Sequence, residues 1–182
     1  MLQVRINGDE IKQLQAGTSK DKYREILHCL HIERKGDMVE FVTTDGSALV
    51  RLQRPLTVYG DKLDEGVSLN IDLSSYKINA KYIYHIIEEN NKLYFIGPDI
   101  KAEIIPQALK FHNYNVVVDG FEKLSNATEF AIFSLSNMKI LWTVFDSFDC
   151  LMPKASGARK PHFWTKNSGE NRWLVCLMPM VA

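Results

Sequence analysis

Residues 34–52 of this sequence, RKGDMVEFVTTDGSALVRL, contain two polar turns that separate runs of alternating apolar residues. Alternation with a period of two indicates β-strands, and Asp-Gly pairs favour tight turns between antiparallel strands. The turns at 34–37 and 44–47 therefore predict three consecutive antiparallel strands. The third strand covers residues 48–52, and Pro55 prevents it from continuing.

The residues before this hairpin predict one more strand and a helix. Residues 3–7, QVRIN, alternate polar and apolar residues, and Gly8 and Asp9 then begin a helix. Ile11 and Leu14 lie three residues apart, which places them on one helical face. Residues 1–58 thus form a first unit of strand, helix and three antiparallel strands.

The last third of the chain, residues 123–182, predicts the same order of elements. A strand at Glu129–Phe133 precedes a helix over residues 135–148, which Ser134 or Ser136 can cap. Three strands follow, at Cys150–Met152, His162–Thr165 and Trp173–Leu177. The helix places a set of apolar residues on one face: Met138, Leu141, Trp142, Phe145 and Phe148. We expect the following residues of the two units to be buried: Leu30, Phe41, Leu141, Trp142, Phe145 and Leu174.

The middle, residues 59–122, predicts a β segment with less regular patterning. Residues 78–89 fit a helix or a strand. We favour the strand, because Asn90-Asn91 and residues 93–96 complete a hairpin with it. Further strands are predicted at Val67–Leu73, Lys101–Ile105 and Asn115–Val118. The whole predicts an α+β fold over residues 1–182, one elaborated domain with antiparallel sheets outside and two helices on one side.

This repeated unit resembles the half-domain of the bacterial sliding clamp, the β subunit of the replicative polymerase. Residues 34–52 are similar to the clamp hairpin whose second turn reads Thr-Asp-Gly. Residues 173–180, WLVCLMPM, are similar to the final clamp strand, which ends in Met-Pro-Met. The sequence departs from the family at Ser47 and Ala48, where the clamp has a His-Arg pair, and in its shorter length. The resemblance implies a DNA-clamp-like fold and a processivity factor for DNA replication.

The resemblance also implies a pocket for partner peptides. In the family, apolar peptide motifs of polymerases and clamp loaders dock beside the Thr-Asp-Gly turn and the terminal Met-Pro-Met. Methionine suits such a site, because its flexible side chain repacks around different apolar groups. The alternative that Met178 and Met180 cap the core at the chain end stays open. The implied pocket residues are Thr44, Gly46, Leu49, Met178, Pro179 and Met180.

Clamps encircle DNA with helices that present basic faces, so the resemblance implies contact with double-stranded DNA that is independent of sequence. Such phosphate contacts are salt-sensitive. Acidic neighbours at Asp9, Glu10 and Asp21 leave open the alternative that these lysines only keep the surface solvated. The candidate DNA-binding residues are Lys12, Lys20, Lys22 and Arg24 near the first helix and Lys139 on the second.

The composition excludes some functions and leaves an enzymatic alternative. Lys plus Arg equals Asp plus Glu at 22 each, so bulk charge does not predict nucleic-acid binding. No Gly-rich phosphate loop, G-x-S-x-G or H-E-x-x-H motif is present. His28 and Cys29 point to opposite faces of a strand, which argues against a metal site with His31. We predict no catalytic residue, metal or cofactor; the alternative is a small metal-dependent hydrolase or nuclease that uses Asp146 and Asp149 with histidines such as His28 and His31.

Three widely spaced cysteines without a CxxC pair indicate a reduced, cytoplasmic setting. No apolar run approaches the length of a membrane span, so no membrane association is expected. A ring built from so short a chain needs several copies, which predicts a homo-oligomer. The alternative is a clamp-fold adaptor that forms no ring.

Overall fold

The computed structural model describes residues 2–21, 23–119, 121–124, 131, 133–145, 153–155, 157 and 160–180. Ten strands and three α-helices lie within these ranges, with 3-10 turns at Glu25–His28, Leu56–Val58 and Phe121–Lys123. The elements are β1 (Gln3–Asn7), α1 (Gly8–Gln15), β2 (Cys29–Lys35), β3 (Met38–Thr44), β4 (Ala48–Pro55), β5 (Ser68–Asp72), β6 (Ile83–Glu89), β7 (Lys92–Gly97), β8 (Ile100–Ile104), α2 (Asn115–Val118), α3 (Leu135–Phe145), β9 (His162–Ser168) and β10 (Asn171–Leu177).

The strands form two antiparallel sheets, one with the order β1-β6-β7-β8 and one with the order β5-β2-β3-β4-β10-β9. This confirms the predicted α+β class with antiparallel sheets. The chain contains two runs of three consecutive strands, β2-β3-β4 and β6-β7-β8. The single strand that precedes each run along the chain, β1 or β5, pairs with the other run. β1 pairs with β6, and β5 pairs with β2, so each leading strand completes the sheet of the other run.

The middle of the chain is therefore a second unit of the same kind, without its helix. β5 leads it, and the predicted hairpin of β6 and β7 is confirmed, with Glu89 opposite Lys92. Residues 73–82, which connect β5 to β6, contain no helix. Residues 79–82 of this connection lie directly against Gly8. The Gly8 N–H donates to Tyr82 O at 2.8 Å, and a Cβ on Gly8 would lie 2.0 Å from Asn79 O, so a side chain would not fit there.

The last strands extend the first unit. β10 pairs with β4 from Trp173 opposite Leu52 to Leu177 opposite Ala48, and β9 pairs with β10. Lys154 forms a bridge to Phe163 on the outer side of β9. The predicted strand Cys150–Met152 lies outside the described residues, as does most of the predicted strand Glu129–Phe133.

The core lies between the sheets and the two long helices. α1 buries Ile11 and Leu14 as predicted, and Gln13 Nε2 donates to Val144 O of α3 at 3.4 Å. The predicted cap of α3 is confirmed at Ser134, whose Oγ accepts from Asn137 N at 3.1 Å. Leu30, Phe41, Leu141, Phe145 and Leu174 are buried as expected.

Trp142 corrects the predicted face of α3, because 60% of its surface is exposed. The buried positions are 137, 140, 141, 144 and 145, which recur at helical spacing. Trp142 lies about 100° around the helix from Leu141. The prediction centred the apolar face one position too far along the chain. Phe148 lies outside the described residues.

The predicted strand Asn115–Val118 is wrong, since these residues form the single turn α2. Valine-rich segments favour strands, but this one crosses the outer face of the six-stranded sheet and pairs with no strand. It belongs to a covering segment, residues 105–119 and 121–124. This segment packs Phe111, Tyr114 and Val118 onto Val42, Leu49 and Leu174 of the sheet.

Candidate docking site and basic groove

The turn between β3 and β4 is held by its own side chains. Asp45 Oδ1 accepts hydrogen bonds from Ser47 N and Ala48 N, both at 2.7 Å. Thr44 Oγ1 donates to Ala48 O at 2.6 Å. Gly46 has a φ of +93°, a left-handed conformation that favours glycine over residues with a side chain. Thr44, Asp45 and Gly46 therefore form a rigid projection at the end of the sheet.

The C-terminal Met-Pro-Met lies directly beside this turn. β10 ends with Leu177 opposite Ala48, and Met178 N donates to Ser47 O at 2.9 Å. Met178 and Met180 are 43% and 56% exposed. The two segments that carry the sequence resemblance are thus brought together within one chain, and the two methionines are open to solvent at the sheet end.

Leu49 contributes to this region from below the surface. It is buried beneath the covering segment, opposite Cys176 of β10 and Thr44 of β3. Its side chain belongs to the same buried apolar cluster as Phe111 and Leu174. Leu49 therefore supports the surface near the turn, whereas Met178 and Met180 form part of that surface.

An apolar groove of about 670 Å³ opens close to Gly46 of this turn. Leu27 Cδ1 lies 3.9 Å, and Arg24 Nη1 3.5 Å, from the position that a Cβ on Gly46 would occupy. Leu109, which is half exposed, contributes from the covering segment. The groove is lined by Tyr23, Arg24, Glu25, Ile26, Leu27, Leu109 and His112.

Sequence reasoning missed most of these lining residues. Ile26 and Leu27 lie in the 3-10 turn Glu25–His28 before β2, where no alternation or turn motif marks them. Leu109 and His112 come close only because the covering segment returns across the sheet, and no local pattern predicts that path. Arg24, a candidate for DNA contact, lies at this apolar groove, where its Nε is 3.6 Å from Asp21 Oδ2.

A second, basic groove of about 750 Å³ lies between α1, the loop that follows it, and α3. Three candidate DNA-binding residues line it together: Lys12, Lys20 and Lys139. All three are exposed, and none forms an ion pair with a carboxylate among the described residues. Asp45 of the turn is the acidic residue of the lining. Lys22 lies outside the described residues.

A buried polar cluster holds the covering segment on the sheet. The Tyr114 hydroxyl donates to carboxylate oxygens of Glu33 and Glu40, and Lys35 Nζ donates to Tyr114 Oη at 2.9 Å. Lys35 Nζ also lies 4.4 Å from the centre of the Tyr114 ring. His31 stacks on Phe111 with ring centres 4.5 Å apart. These contacts position the wall that bears Leu109 and His112.

The protonation of this cluster follows from its hydrogen bonds. Bonding from His31 is the main cause that lowers the pKa of Glu33 to about 2, and bonds from Tyr114 and Lys35 lower it further. Burial, together with the nearby carboxylates, raises the pKa of Tyr114. Glu33 is therefore ionised and Tyr114 protonated at neutral pH, the states in which hydroxyl donates to carboxylate.

Two buried cysteines, Cys29 and Cys176, are poorly suited to a nucleophilic role. Burial raises the pKa of Cys29 to about 11 and that of Cys176 to about 12, which disfavours the reactive thiolate. Within the described ranges, no group of three His, Cys, Asp or Glu residues is arranged to hold a metal ion. Asp146 and Asp149 lie outside those ranges.

No family model and no curated protein matches the sequence. Solved structures do match. A PCNA from A. fulgidus, described with the C-terminal region of FEN-1 bound, aligns over 100% of this chain and 99% of its own, with 14% identity and a TM-score of 0.64. The fold is that of a DNA sliding clamp.

Two bacterial clamps agree with this assignment. The DNA polymerase III β subunit from Thermotoga maritima has 9% identity and a TM-score of 0.65, and a sliding clamp from Pseudomonas aeruginosa has 12% and 0.66. Each aligns over 100% of this chain, which covers 66% of their length. At these identities the likeness concerns the fold, and it confirms the clamp-like architecture predicted from residues 34–52 and 173–180.

Proposed function

We propose that the chain is a sliding-clamp-like accessory of DNA replication. It binds double-stranded DNA without sequence preference, and it binds polymerase or clamp-loader-like proteins through an apolar peptide. It acts as one clamp-like domain over residues 1–182, in the cytoplasm, and it self-associates. The observation that carries the proposal is the bond from Met178 N to Ser47 O. It places the Met-Pro-Met segment beside a turn whose Gly46 lies near the apolar groove and whose Asp45 lines the basic groove.

The proposed docking site comprises the apolar groove together with Met178 and Met180. It is suited to an apolar peptide with an acidic group. Ile26, Leu27 and Leu109 offer aliphatic surface, and the exposed methionines adapt to different side chains. The guanidinium of Arg24 adds a positive charge at the rim, where a carboxylate of the peptide would be favoured. Buried anchors of such a peptide supply most of its binding energy.

The docking proposal is tested with a fluorescent apolar peptide of the kind that binds bacterial clamps. Removal of residues 178–182 should weaken binding by at least about 30-fold, which corresponds to about 2 kcal/mol. Met178→Ala combined with Met180→Ala should act in the same direction. Met38→Ala is the matched control, because Met38 lies at the opposite end of β3. Unchanged affinity after the truncation, with β-sheet content preserved, would refute the docking site.

The DNA proposal rests on the three lysines of the basic groove and is tested by salt dependence. Each phosphate contact contributes about −0.9 to the slope of log K against log salt concentration. Replacement of Lys12, Lys20 and Lys139 by alanine should reduce that slope by roughly 2 to 3. The control replaces three other exposed lysines, Lys62, Lys77 and Lys81, which removes equal charge elsewhere.

Equal flattening by both triple variants would show that net charge, and not the groove, governs DNA binding. Binding that does not respond to salt would also contradict the proposal. Peptide binding without any DNA binding would favour the adaptor over the processivity factor.

A further inference from the structure

The exposed face of α3 carries two large apolar side chains. Leu135 is 82% exposed and Trp142 is 60% exposed. They lie seven residues apart, about two helical turns, and therefore share one face of the helix. Trp142 differs in this respect from Trp173, which is buried in β10. Its indole ring is thus open to a ligand from outside the chain.

This face of α3 adjoins the basic groove. Lys139 lies three residues before Trp142, so their Cβ atoms are about 5 to 6 Å apart on the helix surface. Lys139 lines the basic groove together with Lys12 and Lys20, and Thr143, the residue after Trp142, lines it as well. Trp142 therefore lies at the rim of a groove that holds three exposed ammonium groups.

A fourth lysine lies at the C-terminal end of α3. Lys166 Nζ of β9 donates to Phe145 O at 3.2 Å, and Phe145 follows Trp142 by three residues. An ammonium group has three N–H donors, so this bond leaves donors available for a phosphate. Along the axis of α3, Trp142 thus lies between Lys139 and Lys166.

An exposed ring among lysines matches the chemistry of an unpaired nucleotide. Lysine attracts phosphate whatever the base, and an aromatic ring stacks on any base, because every base has a π face. In a duplex the base faces are hidden by neighbouring bases, so a ring at the rim stacks only where the strand is unpaired. A protein partner fits less well. Lysine is depleted from protein interfaces, and such a partner would bury Lys139 between Leu135 and Trp142.

We propose that the basic groove also binds single-stranded DNA, with phosphates against Lys12, Lys20 and Lys139 and one base stacked on Trp142. This rests on the basic groove of the proposed function, and it adds an unpaired strand to the duplex as a second ligand. The stacked contact is uncharged and depends little on salt, whereas the phosphate contacts weaken as salt rises. The ring therefore lets one groove distinguish an unpaired segment from a duplex.

Two labelled oligonucleotides of equal length and charge test the contact with the base. One is a thymidylate strand of about 12 nucleotides, and the other is an abasic strand of the same length. The full chain should bind the thymidylate strand at least about 5-fold more tightly, which corresponds to one stacked base. Added salt should weaken the binding of both strands with the same slope, because they carry the same phosphates. The ratio of the two affinities should therefore persist.

Replacement of the ring separates base stacking from apolar contact. Trp142→Leu keeps an apolar side chain and removes the ring, so the thymidylate strand should bind no more tightly than the abasic strand. Trp142→Phe keeps a smaller ring and should retain part of the preference. The matched control is Tyr94→Leu, which removes a ring 5.0 Å from Lys101 Nζ, outside the basic groove, and should leave the preference unchanged.

Tryptophan fluorescence reports the stacked state directly. A stacked base quenches indole emission, so the thymidylate strand should quench the wild type, whereas the abasic strand should not, and Trp142→Phe should lose the quenching. Equal affinity for the two strands, or an undiminished preference in Trp142→Leu, would overturn the stacking and leave the duplex proposal standing. A preference for thymidylate in a chain that binds no duplex would contradict the duplex proposal and support this one.

Discussion

The outer faces of the two sheets differ in what covers them. The six-stranded sheet carries the covering segment, with Phe111, Tyr114 and Val118 buried against it. The four-stranded sheet has no described segment across its outer face, where Ile83 is exposed and Ile87 and Tyr94 are partly exposed. The covered face holds buried charged groups such as Glu40, whereas the bare face carries solvent-exposed ion pairs of Lys92 with Glu103 and of Lys101 with Glu89 beside these apolar residues.

The covering segment is held on its sheet by specific polar contacts as well as by apolar packing. Glu40 is buried because Lys35, Arg51, Gln53 and Tyr114 all bond to it. A buried charge with several partners is tolerated, whereas one without partners is costly. On the bare face, the apolar side chains stay half exposed, since single exposed apolar residues are common on protein surfaces.

Loss of an aromatic ring should be much more costly on the covered face. Phe111→Ala removes a buried ring that stacks on His31 and should lower the free energy of unfolding by about 3 kcal/mol. Tyr94→Ala, on the bare face, removes a ring that contacts Lys101 at 5.0 Å and should lower it by about 1 kcal/mol. Urea denaturation measures both. Equal losses would mean that the covering segment adds little packing energy.

Loss of one hydroxyl tests the polar anchor without changing the packing. Tyr114→Phe leaves Glu33 and Glu40 without their shared donor, at a cost of about 1 to 2 kcal/mol. Hydrogen exchange should then increase in residues 105–119 and stay unchanged in β6 and β7. An unchanged exchange rate throughout would show that Lys35 alone holds the segment.

The smallest effect expected is a dependence of stability on acidity that is confined to the covered face. The folded pKa of Glu33, about 2, is lower than the ordinary value of 4.5, so its ionised form stabilises the fold. That contribution is present above about pH 4.5 and is lost as the pH falls toward 2. The stability difference between wild type and Glu33→Gln should shrink over this range. Glu103→Gln, on the bare face, serves as the control for the loss of one exposed carboxylate.

Local patterns predicted the elements well where both turn chemistry and alternation were present. Asp45-Gly46 and Asn90-Asn91 marked real turns with strands on both sides, although the strand predicted over residues 78–89 begins only at Ile83. Asn115–Val118 failed because valine content favours a strand only when a neighbouring strand is available to pair with it. Trp142 failed because several apolar residues fill α3, and a shift of one position moves the predicted face by about 100°.

The residues of the candidate site also differ in whether a local sequence pattern predicts them. Thr44, Gly46 and the Met-Pro-Met segment were predicted from the family resemblance, which rests on two short motifs, and the structure brings these motifs side by side. Ile26, Leu109 and His112 were not found, because they meet only when a distant loop returns across the sheet. Arg24 belongs with them, since its place beside Gly46 depends on the path of residues 17–27.

The sequence by itself determined the strands around the Asp45-Gly46 turn, the hairpin at Asn90-Asn91, and the helices α1 and α3. These features depend on residues within a few positions of each other, whose periodicity and turn preferences act locally. The tertiary structure decided that β1 and β5 exchange sheets, that β10 extends β4, and that Tyr114 bonds to Glu33. Tyr114 and Glu33 are 81 residues apart. Such pairings depend on packing and hydrogen bonding between segments distant in the chain, which no local pattern encodes.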